Sequence, residues 1–198
     1  MNNPLKPWLV RRLGLRPELP LSFYLLDLVF RRLLRQNAGV GWAVHHSSTI
    51  RSPQHLSVGQ GTYPGDSPGV YINADNGIHI GDFTNLGPQV GLISANHDVV
   101  DNEASVPAPP LRLGRFCWLG MGAVVLPGVE LGDFTVVGAG AVVTRSFAHG
   151  YCVLAGNPAR LLRRLDPALC DAQARRTYAQ HDRPHPADNA GNTGAAGH

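Results

Sequence analysis

The hydrophobic pattern of this chain repeats every six residues. In the stretch 113–143, aliphatic residues recur at that interval, and glycine directly follows four of them. Six steps of about 100° scatter such residues around an α-helix, so the pattern excludes an amphipathic helix. It is typical of a β-solenoid, in which short strands meet at corners and each aliphatic side chain points inward. The repeating aliphatics are Leu113, Leu119, Val125, Leu131, Val137 and Val143.

The residues around each aliphatic fit the same geometry. Small residues stand four places further on, where they let the corners close without a clash; they are Cys117, Ala123, Thr135 and Ala141. Glycine after the aliphatic allows backbone conformations that a Cβ atom penalises. We therefore expect these glycines to adopt unusual backbone angles.

A second block of the repeat lies upstream and is out of register with the first. It carries Ile80, Leu86 and Leu92 at the same interval, and Ile50 with Leu56 forms a weaker pair. If three hexapeptides make one triangular coil, residues 98–112 must be extruded as a loop between the blocks. We therefore predict an all-β solenoid over residues 46–160 with an extruded loop at 98–112.

Residues 1–45 do not fit the repeat and form a predicted N-terminal helical segment. The sequence predicts a helix from Leu21 to Arg35, after two prolines. This helix is too short for a membrane span of about 20 residues, and Asp27 would lie near its centre. The main interpretation is a helical cap on the solenoid, because an uncapped repeat leaves its core and strand edges open. The alternative is an interfacial helix on anionic lipid. Its arginines are Arg11, Arg12, Arg16, Arg31, Arg32 and Arg35.

The C-terminal region has two parts. Residues 161–181 form a predicted short helical segment that Pro167 interrupts. Residues 182–198 are mostly Pro, Gly, Ala, Asn and His, which cannot bury enough apolar surface to order themselves. We expect a disordered tail there.

Composition limits the class of function. The chain has 198 residues, 43% of them hydrophobic, which suits one domain with appendages. The formal charge is +3, and Lys6 is the sole lysine, so no basic surface for nucleic acid is expected. The cysteines Cys117, Cys152 and Cys170 are scattered, which favours a reducing compartment. We expect a cytoplasmic protein that can contact the inner face of the membrane.

The candidate for chemistry is His97. It lies where the regular repeat gives way to the insertion, within the polar segment Ser94–Asp98, and imidazole titrates near neutrality, as a general base must. The competing interpretation is a surface histidine at a corner. His79 lies inside the regular block and is interpreted as a structural or surface residue. Asp75 and Asn76, which follow a Gly- and Pro-rich loop, are expected to form a turn.

Four motifs together resemble a known family, and the resemblance covers roughly residues 50–165. The chain is similar to the left-handed β-helix acyltransferases built of hexapeptide repeats, and most similar to the galactoside, maltose and nodulation O-acetyltransferases and the polysaccharide O-acetyltransferases. The motifs are Ser94–Asp98, Phe116–Gly120, Val137–Thr144 and Ala155–Arg160.

The resemblance implies a left-handed parallel β-helix, a homotrimer with intersubunit active sites, and acetyl-CoA as donor with no metal. It implies acetyl transfer to a hydroxyl of a sugar or glycan precursor. His97 matches the family's catalytic base, and Asn73 matches an asparagine on the acceptor side of the cleft. The implied cofactor-binding residues are Trp118, Ala139, Thr144, Arg145, Arg160 and Arg163.

Departures from the family leave alternatives open. Met121 stands where sugar acetyltransferases often have serine, and Arg145 replaces a lysine. The N-terminal region lacks the motif that supplies an aspartate to the acceptor pocket. An amine, antibiotic or amino-acid acceptor therefore stays open, as does a non-catalytic binding scaffold. A carbonic anhydrase of the γ type needs three histidines on zinc, and no second histidine follows His97 closely.

Overall fold

The computed structural model describes residue 16 and residues 19–181 of the chain. Short β-strands alternate with tight corners through most of it. In chain order the strands are β1 (Thr49–Arg51), β2 (Leu56–Val58), β3 (Tyr71–Asn73), β4 (Ile78–Ile80), β5 (Asn85–Leu86), β6 (Gly91–Ile93), β7 (Asn96–His97), β8 (Ser105–Val106), β9 (Leu111–Leu113), β10 (Trp118–Leu119), β11 (Val124–Val125), β12 (Glu130–Leu131), β13 (Thr135–Val137), β14 (Val142–Val143), β15 (Cys152–Ala155) and β16 (Arg160–Arg164).

The strands form three sheets that surround one core. The first sheet has the order β1-β3-β6-β11-β14, the second β16-β15-β13-β10-β5 and the third β12-β9-β4-β2. Every pairing in them is parallel except that of β15 with β16. From β1 to β15, each strand of these sheets lies in a different sheet from the one before it, so the chain winds as a parallel β-helix, and the predicted β-helix fold is confirmed.

The strand register explains the six-residue period. Ile80 pairs with Leu113, and Leu113 pairs with Leu131, so equivalent aliphatics stack from coil to coil. Three hexapeptides therefore make one turn, as predicted. The residues between β6 and β9 do not extend any of the three sheets. They contain β7 and β8, which pair antiparallel as a separate hairpin.

The core is built from the repeating aliphatic and small side chains. Leu119, Val125 and Val143 are fully buried, and so are the small corner residues Ala123 and Ala141. Because each coil adds three such aliphatics, the hydrophobic core runs continuously along the solenoid.

The glycines after the aliphatics serve a different purpose from the one expected. They do not have positive φ angles. Instead, a Cβ atom on Gly81 would lie 2.6 Å from the carbonyl carbon of Gly114, and one on Gly120 would lie 2.7 Å from the amide nitrogen of Ala139. Contacts this short do not occur between real Cβ atoms and backbone, so these positions exclude larger residues because neighbouring coils stack closely.

Aromatic residues at one corner of the coil adopt the left-handed backbone conformation, with positive φ angles. Phe83, Phe116, Phe134 and Tyr151 have φ angles of 52°, 55°, 54° and 47°. Their rings stack in that order along the solenoid, with centroid separations of 5.2, 4.9 and 5.6 Å. Stacking between large apolar rings offsets the strain that positive φ places on residues with a Cβ atom.

The C-terminal segment differs from its prediction in its first residues. Residues 160–164 form strand β16, which pairs antiparallel with β15, and the helix α2 begins only at Pro167 and ends at His181. Pairing with β15 supplies hydrogen-bond partners to a sheet edge that a helix would leave open. In α2, the Tyr178 hydroxyl donates to Asp82 Oδ2 at 2.7 Å, and its ring packs edge-on against Phe83.

The N-terminal helix is present and contacts the start of the solenoid. Helix α1 (Leu21–Leu28) continues into a π-helical turn (Val29–Leu33). Asp27 Oδ1 accepts a hydrogen bond from the Val44 amide at 3.0 Å, and Arg31 donates to the Val40 carbonyl at 3.0 Å. In the described part of the chain, no helix is long and apolar enough to cross a bilayer. Arg11, Arg12 and the predicted tail 182–198 lie outside the described residues.

Candidate active site

His97 lies at the base of the β7–β8 hairpin. In this hairpin His97 pairs with Ser105, and the Asp98 amide donates to the Ala104 carbonyl at 2.9 Å. The imidazole side chain is exposed. The hairpin thus presents the one residue that the sequence singles out as a general base to solvent, at the point where the insertion leaves the coil.

The neighbouring Asp98 is occupied by the turn that closes the hairpin. Its Oδ1 atom accepts hydrogen bonds from the amides of Val100 and Asp101, at 2.8 and 3.1 Å. These two backbone donors lower the pKa of the Asp98 carboxyl group. The carboxylate therefore serves to shape the tip of the hairpin.

Asn76 ties the hairpin to the solenoid. Its amide nitrogen Nδ2 donates to the carbonyl of Ser94 at 3.1 Å and to the carbonyl of Val106 at 3.2 Å. Ser94 Oγ in turn accepts from the Asn76 backbone amide at 3.0 Å. One side chain therefore holds both ends of the segment that carries His97. The sequence indicated only a turn at Asn76, since nothing in the pattern showed which strands flank it.

Replacing Asn76 with alanine is expected to loosen the hairpin without unfolding the solenoid. The variant loses two side-chain hydrogen bonds, each contributing about 1 kcal/mol. Amide hydrogen exchange at Asp98 should accelerate about tenfold or more, because that amide closes the hairpin. Asn85→Ala, an exposed asparagine in β5, is the matched control. Unchanged exchange at Asp98 in Asn76→Ala would show that Asn76 does not hold the hairpin.

Asn73 lies at the end of β3 in the first sheet, next to the strand that leads into the hairpin. It pairs with Ile93 of β6, and its backbone carbonyl accepts from the Ser94 amide at 2.9 Å. Its side chain is half-buried, with Oδ1 accepting from the Asp75 amide at 3.0 Å. Asn73 is therefore fixed in orientation beside the strand that leads to His97.

Trp118 and Arg163 lie on one row of the second sheet. The register runs from Trp118 to Val136, from Val136 to Val153 and from Val153 to Arg163. Trp118 is 58% exposed, the two valines are half-buried and Arg163 is exposed. Residues opposite one another across a sheet point to the same side. The row, which continues past Trp118 to the exposed Asn85 of β5, is thus an outward strip that carries an aromatic ring, two valines and a guanidinium in that order.

The other residues predicted to bind a cofactor are exposed near the second sheet or beyond β14. Arg160 pairs with Ala155 at the same sheet edge as Arg163. Ala139 follows β13 and packs against Gly120 of the preceding coil. Thr144 and Arg145 follow β14 of the first sheet, and the Arg145 guanidinium lies 5.3 Å from the centre of the Phe147 ring.

Within a single chain the predicted site residues form two separate groups. Asn73 and His97 lie at the end of the first sheet and on its hairpin, whereas Trp118, Arg160 and Arg163 lie on the second sheet. The third sheet carries neither group. Its outward His79 shares a hydrogen bond of 2.6 Å with Ser57 Oγ. Across residues 19–181, no three His, Cys, Asp or Glu side chains are grouped to hold a metal ion.

Comparison with known proteins places the repeat in a recognised class. Residues 111–145 match the family described as Bacterial transferase hexapeptide (six repeats). A protein of Dictyostelium discoideum, whose name records an inferred acetyltransferase activity, is 45% identical over 91 residues. That match covers 44% of this chain and 47% of the relative, so the chain matches about half the length of this curated relative.

Solved structures of similar fold include two acetyltransferases. A maltose O-acetyltransferase from Clostridium difficile 630 is 27% identical, with a TM-score of 0.54, over 60% of this chain and 64% of its own. A galactoside acetyltransferase in complex with coenzyme A is 20% identical, with a TM-score of 0.59, over 83% of this chain and 93% of its own. These matches confirm the β-helix fold and the resemblance to hexapeptide-repeat acyltransferases that the sequence motifs indicate.

Proposed function

We propose that this chain, which carries the hexapeptide repeat of bacterial transferases at residues 111–145, is a CoA-dependent O-acetyltransferase. The observation that carries the proposal is the placement of His97, exposed at the base of a hairpin that Asn76 ties to the solenoid. The named activities of the two similar structures, maltose and galactoside acetylation, support a hydroxyl of a sugar or glycan precursor as acceptor.

In the proposed reaction His97 is the general base. Its imidazole removes the proton from the acceptor hydroxyl as the oxygen attacks the thioester carbonyl of acetyl-CoA. The C–S bond then breaks, the acetyl group stays on the acceptor oxygen, and the proton held by His97 goes to the departing CoA sulfur. Asn73, fixed beside the same strand, orients the acceptor.

The row from Trp118 to Arg163 suits the donor. Trp118 and the half-buried valines offer an apolar strip for the pantetheine arm, and the backbone at Ala139 borders it. Arg160 and Arg163 place two guanidinium groups at the sheet edge, where the fork of N–H donors matches phosphate oxygens. Thr144 and Arg145 lie on the coil next to this end of the strip.

The site needs more than one copy of the chain. Because His97 and the Trp118 row lie on different sheets of one solenoid, we propose that the hairpin of one subunit faces the second sheet of its neighbour. A homotrimer of left-handed coils, with three such intersubunit sites, satisfies this requirement. We place the enzyme in the cytoplasm, in keeping with its three free cysteine thiols.

Calorimetric titration of CoA and acetyl-CoA tests the donor site. The double variant Arg160→Ala/Arg163→Ala should bind about 10²-fold more weakly than wild type, because it loses charged hydrogen bonds to phosphate. Arg175→Ala/Arg176→Ala, which changes two exposed arginines of α2, is the charge-matched control and should bind like wild type.

A wild-type protein that binds neither CoA nor acetyl-CoA contradicts the proposed function. Where binding is found, release of free CoA is measured with a panel of sugar hydroxyls and amines as acceptors. If only amines were acetylated, acetyl-CoA would still be the donor, but the assignment as an O-acetyltransferase would be refuted.

A further inference from the structure

Helix α1 and its π-helical turn expose an almost continuous apolar surface. The fractions exposed range from 44% for Leu21 to 75% for Leu33. We call this surface the leucine face. Its members are Leu21, Leu25, Leu26, Leu28, Val29, Leu33 and Leu34. Scattered apolar residues are common on protein surfaces, but so many on one short helix form a patch of the kind that binds a partner or a membrane.

The opposite side of the same helix and turn faces the solenoid with a charged pair and with the half-buried rings of Phe23 and Phe30, which pack against His45 and His46. Asp27 is buried, accepts from the Val44 amide and pairs with Arg31, whose guanidinium donates to the Val40 and Trp42 carbonyls. A helix packed on a water-soluble domain normally turns its apolar side inward and its charges outward. Here the leucines face outward, while a buried charge pair and two aromatic rings make the contact, so the leucine face is not what attaches the helix to the solenoid.

Positive charge borders the leucine face. Arg32 and Arg35 are exposed, and together with Arg31 they line a recess of about 480 Å³ next to Ala38 and Val40. The only acidic residue between 21 and 35 is Asp27, which is buried and already paired with Arg31. Arg32 and Arg35 therefore present net positive charge beside exposed leucines.

We infer that the leucine face docks on an anionic lipid bilayer, with Arg32 and Arg35 contacting lipid phosphates. Apolar residues beside arginine suit the boundary between headgroups and acyl chains, where burial and charge attraction add. The helix and its turn span about 20 Å, less than a hydrocarbon core of about 30 Å, so they lie in the interface without crossing it. This inference goes beyond acetyl transfer and does not depend on it.

The test is co-sedimentation of the full chain with vesicles. Wild type should bind vesicles of phosphatidylcholine and phosphatidylglycerol, bind pure phosphatidylcholine weakly, and release from the anionic vesicles as salt is raised. Arg32→Gln/Arg35→Gln should bind about 30-fold more weakly. Leu25→Ser/Leu33→Ser should bind at least about 10-fold more weakly at every salt concentration. Both pairs are exposed, so melting temperatures should stay near wild type.

The matched control is Leu169→Ser/Arg175→Gln, which changes an exposed leucine and an exposed arginine of α2. It should bind vesicles like wild type. Three results overturn the inference: no binding to anionic vesicles, equal loss of binding in the control, or a change of oligomeric state in Leu25→Ser/Leu33→Ser by analytical ultracentrifugation. The last result would assign the leucine face to contact between copies of the chain. Because the readout is lipid binding, failure here leaves the acetyltransferase proposal untouched.

Discussion

Replacing His97 with alanine is expected to lower turnover about 10²- to 10⁴-fold while CoA binding stays close to wild type. An alcohol is a poor nucleophile at neutral pH, so the reaction depends on removing its proton as the C–O bond forms. The proposed donor strip runs from Trp118 to Arg163 and does not include His97. Loss of the imidazole should therefore reduce the chemical step and spare binding of the donor.

The measurement combines steady-state release of CoA with calorimetric titration of CoA. His149→Ala is the matched control, because His149 is also exposed but lies far along the chain from the hairpin, after β14. It should retain full turnover. His97→Gln adds a second check, because glutamine can hydrogen-bond but cannot accept the proton, so it should be as inactive as alanine. Wild-type turnover in His97→Ala would refute the role of His97 as base.

The fold was predictable because the six-residue period is a local property. Each aliphatic such as Leu119 is buried for the same reason, and the strand register simply repeats that contact from coil to coil. The same logic predicted an insertion between Leu92 and Leu113 but not its bounds, because the hairpin already begins at Asn96 and residues 111–112 of the predicted loop 98–112 belong to β9. The hydrophobic pattern alone was sufficient to predict the fold, because the same contact between coils recurs many times.

Features that depend on which strands are neighbours were not predictable from the sequence. Asn76 bonds to Ser94 and Val106, a contact that requires knowledge of both ends of the hairpin. Strand β16 resembled a helix because its arginines and leucines suit either structure, and only the open edge of β15 decides between them. The proposed site is harder still to predict, because its two groups of residues lie on different sheets of a single chain.

Because the coils stack closely, replacing a glycine between two coils with alanine is expected to lower stability strongly. Gly81→Ala places a Cβ atom within 2.6 to 2.7 Å of backbone atoms of Gly114 and Arg115. That backbone cannot move away easily, since the Gly81 amide donates to Leu113 and the Gly114 amide donates to Leu131 in the ladder between coils. We expect a loss of about 3 kcal/mol in the free energy of unfolding, typical of severe overpacking, and a melting temperature lower by about 6–12 °C.

Gly91→Ala provides the matched control in the same solenoid. A Cβ atom there lies 3.5 Å from the Val124 side chain, an ordinary contact, and Gly91 has no positive φ. Alanine at this position should leave stability unchanged or raise it by about 0.5 kcal/mol, because it reduces the freedom of the unfolded chain. Thermal unfolding followed by circular dichroism compares the two variants. If both melt like wild type, the glycines that follow the aliphatics are not required for coil stacking; if only Gly81→Ala is destabilised, steric contact between coils is the reason glycine stands at that position.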